Sequence, residues 1–135
     1  MSKSLIQTAN QNINAVTENG VIPLGTVVRR FGCNLALSGN GIEVRGEGYY
    51  TIDCTVTVAP TATGDVSVAL YKNGVQVPSA IASGVVATAS DPITLPIVAT
   101  IRQGCACCNG ADTLTVVLLQ GAGAVTNIST RVVKA

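Results

Sequence analysis

Five cysteines, seven carboxylates and three tyrosines are the side chains of this chain with chemistry to offer, and no histidine accompanies them. Without histidine the commonest general base and the commonest imidazole metal ligand are missing. A cysteine nucleophile would also lack the partner that holds it as a thiolate. Cys105, Cys107 and Cys108 form one compact C-x-C-C cluster, with Cys33 and Cys54 far away in sequence. Four thiolates suffice for a tetrahedral zinc site, but such sites are normally assembled from two C-x2-C-like pairs, and this spacing argues against metal. Oxidising surroundings would instead favour a disulfide from Cys33, in the turn after Phe31, to Cys105, Cys107 or Cys108, worth about 2–4 kcal/mol. The remaining reading is reduced thiols. Cys54 lies in the apolar phase of its segment and reads as a small buried hydrophobe.

Paired carboxylates are the other route to catalysis, across a sugar bond for instance. Glu43 and Glu47 flank Arg45, and an i, i+2 pair on one strand face reads as a surface ion pair between Glu43 and Arg45. Asp65, Asp91 and Asp112 stand beside Gly, Pro or a strand start, where Asp supports turns, with calcium held by loop oxygens as the other reading. No catalytic residue, resident metal or cofactor is expected. Tyr49 and Tyr71 are candidate ligand contacts, since a phenol ring offers an apolar body with a polar tip. Tyr50, in the apolar phase, reads as core.

The elements that must position these groups are strands. The 135 residues suit one domain, apolar residues make up 47% and charged ones only 11%, which excludes a disordered chain. A net charge of +1 offers no field for a nucleic-acid backbone or an anionic membrane, so neither partner is expected. The longest apolar runs fall short of the ~18 residues of a membrane helix, and the first residues lack the apolar region of a secretory signal. Residues 1–20, rich in amides and Thr, read as a polar arm, extended or partner-bound, with a short helix as the alternative. From Val21 to Ala135 the apolar period is two and β-branched residues dominate. Strands are expected at Val21–Arg30, Leu35–Ser38, Gly41–Arg45, Gly48–Ala59, Ser83–Ser90, Ile93–Ile101, Thr113–Gln120 and Val125–Val133. In between, Asn73-Gly74 separates Val66, Val68 and Leu70 from Val75 and Val77, which marks a type I′ hairpin. Eight to ten short strands with Gly, Pro and Asn punctuation indicate an all-β antiparallel two-sheet sandwich of the jelly-roll kind.

The stretch Gly41-Ile-Glu-Val-Arg-Gly-Glu-Gly-Tyr-Tyr-Thr-Ile-Asp-Cys-Thr-Val-Thr-Val and the later Val-Ser-Val-Ala-Leu-Tyr-Lys-Asn-Gly-Val-Gln-Val resemble the "G-x-Y-x-apolar" strand and "L-x-x-N-G" hairpin of trimeric jelly rolls. These are the tumour-necrosis-factor and complement globular-head type, which recurs in bacteriophage structural proteins. With Leu24-Gly-Thr-Val-Val-Arg-Arg-Phe-Gly-Cys-Asn-Leu and Cys-Ala-Cys-Cys-Asn-Gly, residues 21–135 are similar to phage head-fibre or decoration proteins. The resemblance implies a non-enzymatic virion protein, made in a bacterial cytoplasm, that pairs with itself as a homotrimer and meets a capsid protein through the arm, with host-surface glycan as a further partner. The alternative is a lectin-like or ligand-like module on a bacterial surface, with specificity in the 104–110 and 79–84 segments. An excess of apolar surface over what one sandwich can absorb supports the trimer. Its interface is expected at Ala69 and Tyr71 with whichever of the Val116/Leu118 and Val117/Leu119 sets faces away from the core.

Overall fold

A computed structural model describes residues 4–32, 34–45, 47–103 and 112–134. Twelve strands are present among them: β1 (Leu5–Asn10), β2 (Asn14–Val16), β3 (Gly20–Val21), β4 (Thr26–Phe31), β5 (Leu35–Ser38), β6 (Gly41–Val44), β7 (Gly48–Pro60), β8 (Gly64–Lys72), β9 (Val75–Val86), β10 (Ile93–Gln103), β11 (Asp112–Gln120) and β12 (Gly123–Lys134). They form two antiparallel sheets. The first runs β10-β7-β12-β1-β4, with β2 also on β12, and the second runs β5-β6-β11-β8-β9, with β3 also on β11. This is the jelly-roll sandwich the alternating pattern predicts, and the described residues contain no helix.

Period-two alternation decides which side chains meet between the sheets. In β7, Tyr50, Ile52, Cys54, Val56 and Val58 are buried, as expected, and Thr55 on the other face is exposed. They pack with Ile97, Val132 and Ile128 of the same sheet and with Val68, Leu70, Leu114, Val116 and Leu118 of the opposite one. The Asn73-Gly74 hairpin forms with φ of 53° and 82°, the two left-handed positions that a type I′ turn demands. Pro78 and Pro96 sit on β9 and β10, the edge strands at one side of the sandwich, where a missing amide donor spoils no inner ladder.

Two boundaries differ from the sequence reading. The region expected as one strand from Val21 to Arg30 divides into β3 and β4 around Pro23 and Gly25. Gly25 has φ of 87°, and a Cβ there would lie 2.3 Å from the Ala9 carbonyl oxygen, so the chain can pass β1 closely only with glycine. The strand expected at Ser83–Ser90 is the second half of one long β9, which ends at Val86. The 79–84 segment is therefore strand rather than loop.

The polar N-terminal segment is corrected too. Residues 5–10 are extended, but they do not leave the domain: β1 lies between β12 and β4, with Gln7 opposite Arg131 on one side and Arg29 on the other. Ser4, just before it, and its inward residues Ile6, Thr8 and Asn10 are all buried. Three of those four are polar, so the apolar alternation that marks the other strands is absent here. Residues 14–21 then carry the chain from β12 of the first sheet to β11 of the second.

Candidate functional site

The interface candidates divide cleanly by strand phase. Val116 and Leu118 are 1% and 0% exposed in the core between the sheets, so of the two alternative sets theirs is the one that faces inward and drops out of the interface. Val117 and Leu119 point away from it. Val117 is register-paired with Val21 of β3 and with Ala69 of β8, and Ala69 is paired in turn with Ile81 of β9. Val21, Val117, Ala69 and Ile81 thus form one apolar row across four strands on the outer face of the second sheet. Its centre, Ala69 and Val117, is shielded by neighbours, while the ends Val21 and Ile81 are 42% and 47% exposed. Val85 extends the apolar surface further along β9. Tyr71, half-buried, lies on the same face beside Gln76.

A second constellation gathers where β8 turns into β9. The Asn73 side chain donates to Asp112 Oδ1 at 2.6 Å, and its Oδ1 accepts from the Thr113 amide at 2.9 Å. Asp112 is also paired with Lys72 at 3.1 Å, and Lys72 Nζ donates to the Arg102 carbonyl at 3.0 Å. The nearly buried Asp112 carboxylate is therefore fully engaged by charge-assisted partners. Lys72 and Asn73 hold together the ends of β10 and β11. Beside this clasp is a cleft of about 300 Å³ between the start of β9 and the end of β10, floored by Val77, Pro78 and Ile101 and edged by Lys72, Gln76, Thr100 and Arg102.

Neither candidate tyrosine lines this cleft, and the two belong to different sheets, Tyr49 on the outer face of the first and Tyr71 on that of the second. Tyr49 is the cross-strand partner of Arg102, and Tyr71 that of Gln76. Tyr49 is 57% exposed and Tyr50, next in sequence, is wholly buried. The cleft residues themselves escaped the sequence reading, because Gln76, Thr100 and Arg102 look like ordinary solvent-facing strand residues. The one available signal was that Lys72 and Asn73 end a hairpin.

Cys33, Cys105, Cys107 and Cys108 lie outside the described residues, and so does the pairing expected of them. Cys54 is buried, and Thr130 Oγ1 donates to its sulfur at 3.4 Å. Burial pushes its thiol from 9.0 up to about 11, the Thr130 contact opposing that only in part, so it stays protonated and unreactive at neutral pH. Glu43 and Arg45 form the expected exposed ion pair at 2.6 Å. Among the described residues, no three His, Cys, Asp or Glu side chains converge as metal ligands would.

The fold and its strand order define the class: a jelly roll of the tumour-necrosis-factor and complement-head type, as the sequence resemblance implies. Solved structures agree over nearly the whole chain. The crystal structure of murine APRIL at pH 8.5 superposes with a TM-score of 0.76 at 14% identity, covering 99% of this chain and 100% of that one. The globular domain of zebrafish complement 1qA gives 0.72 at 8% identity, covering 98% and 96%. The vertex protein P5 of PRD1 gives 0.69 at 15% identity, covering 97% and 96%. At these identities the likeness is one of fold. No protein-family model matches the chain, and no curated protein matches it in sequence.

Proposed function

We propose that this chain is a non-enzymatic structural protein that assembles as a homotrimer on a virion, as a head fibre, capsid decoration or related accessory. The observation that carries the assembly is the apolar row Val21, Val117, Ala69 and Ile81 on the outer face of the second sheet. A surface of that kind on a soluble protein marks a contact, and cyclic closure covers it without leaving an open end for fibres. The likeness to a PRD1 vertex protein supports the virion, and so does the sequence resemblance to phage structural proteins. Because β1 is built into the first sheet, anchoring to a capsid falls to the folded sandwich rather than to a free arm.

A second reading, a ligand-like or lectin-like module on a cell surface, draws support from the likeness to APRIL and to the complement head domain. Two measurements test these readings. Light scattering should return three times the chain mass of 13.7 kDa, and a stable monomer at micromolar concentration overturns the trimer. Mass spectrometry of purified particles from an infected culture should detect the protein. Expression during infection with none in the particles refutes the virion role and leaves the surface module.

A further inference from the structure

We propose that the cleft between the β8–β9 hairpin and the end of β10 binds the terminal residue of an acidic saccharide, with Arg102 receiving its carboxylate. The proposal rests on the lectin-like reading above, to which it gives chemistry, and it does not depend on the protein residing in a virion.

Size comes first. About 300 Å³ is at the lower end of small-molecule sites, room for one ring with its substituents rather than for an extended chain. Charge is the second argument. The cleft is edged by two cations and no carboxylate. Lys72 is already committed, to Asp112 and to the Arg102 carbonyl. Arg102 is exposed, and none of the ion pairs among the described residues involves it. A free guanidinium at the rim of a small cleft suits a carboxylate, which it can grip through two parallel N–H donors. The Lys72 contact holds the Arg102 backbone, so the guanidinium projects from a supported position.

The rest of the lining favours a sugar ring as the frame for that carboxylate. Gln76 and Thr100 each offer both a donor and an acceptor, which matches hydroxyl groups. Val77, Pro78 and Ile101 present an apolar floor for the C–H face of a ring.

The test is calorimetric titration of the purified, assembled protein with sialyllactose, glucuronic acid and lactose, alongside an acidic hexapeptide. Saturable binding of one or both acidic sugars is expected, with lactose at least tenfold weaker. Arg102→Gln should weaken the acidic sugar at least tenfold, and Arg102→Lys should restore part of the loss. Because the Arg102 side chain is exposed, unchanged thermal unfolding of the variants serves as the folding control. Equal affinity for lactose and sialyllactose, an Arg102→Gln variant that binds as well as the parent, or binding of the peptide alone would each overturn the assignment. Binding by a protein absent from particles would sustain the cleft while removing the virion role. A protein present in particles that binds neither acidic sugar would do the reverse.

Discussion

The two sheets divide polarity in different ways. Inside the sandwich, the first sheet carries a polar row, in which Cys54 is paired with Thr130 and Thr130 with Thr8, and the Thr8 hydroxyl has no hydrogen-bond partner. Outside, the same sheet presents Thr55, Ser129, Gln7 and the Asp53–Arg131 ion pair, with Phe31, Leu5 and Val133 in register at one end and Val98 and Tyr49 exposed on β10 and β7. The second sheet meets it with aliphatic residues, Leu35, Ile42, Val66, Val68, Leu70, Leu114, Val116 and Leu118, and then sets a further apolar row on its outer face. Alternation by itself makes one face of a strand dry. An apolar row that crosses the middle strands of an outer face, as Val21, Val117, Ala69 and Ile81 do, gives that sheet a second surface to cover besides the one its sister sheet covers.

The largest expected effect tests whether the first sheet needs its polar N-terminal strand. Deleting residues 1–20 removes β1, β2 and half of β3 and exposes the flank of β12 inside the sheet. Cooperative unfolding should vanish from the thermal melt. A truncated chain that melts like the parent would return these residues to the role of an arm.

The outer faces can be compared directly by placing one charge on each. Ile81→Lys, at the exposed end of the apolar row, should shift the scattering mass toward a single chain. Thr55→Lys, on the outer face of the first sheet, should leave the scattering mass unchanged and the stability within about 0.5 kcal/mol of the parent, as surface changes do. Dissociation by Thr55→Lys and none by Ile81→Lys would reverse the assignment of the faces.

Within the first sheet, Cys54 ties stability to pH. Its pKa is about 11 in the fold and 9.0 as the ordinary value, so folding favours the protonated thiol. Its contribution is whole below about pH 9 and is lost as pH rises through 11, by about 2–3 kcal/mol in total. Denaturant unfolding of the parent against Cys54→Val, at pH 8 and at pH 11, should show the variant losing less stability over that interval. Identical losses would show that Cys54 takes no part in the alkaline dependence.

Smaller effects come from the two polar groups at the middle of that sheet. Thr8→Val removes a buried, unpartnered hydroxyl while keeping its shape and should raise stability by about 1 kcal/mol in denaturant titration, whereas a loss of that size would reveal a partner for the hydroxyl. Asp53→Asn breaks only the exposed pair with Arg131 and should change stability by less than about 0.5 kcal/mol, the range of surface ion pairs.

What the sequence determined by itself was everything that depends on near neighbours. The Asn73-Gly74 turn, the buried phase of Tyr50 to Val58, the Glu43–Arg45 pair and the two-sheet class follow from alternation and turn chemistry within a few residues. Only the tertiary structure decided the matters that depend on partners distant along the chain. Ser4, Thr8 and Asn10 look like surface residues until β1 is seated between β12 and β4, because burial there is imposed by neighbours rather than by hydrophobicity. Val117 and Val116 differ only in phase, and which of them meets the opposite sheet is set by the register of β11 against β8. Tyr49 and Tyr71 fall on different sheets, and the cleft beside Arg102 forms where β10 and β9 close the same side of the sandwich, a consequence of strand order, which no local pattern encodes.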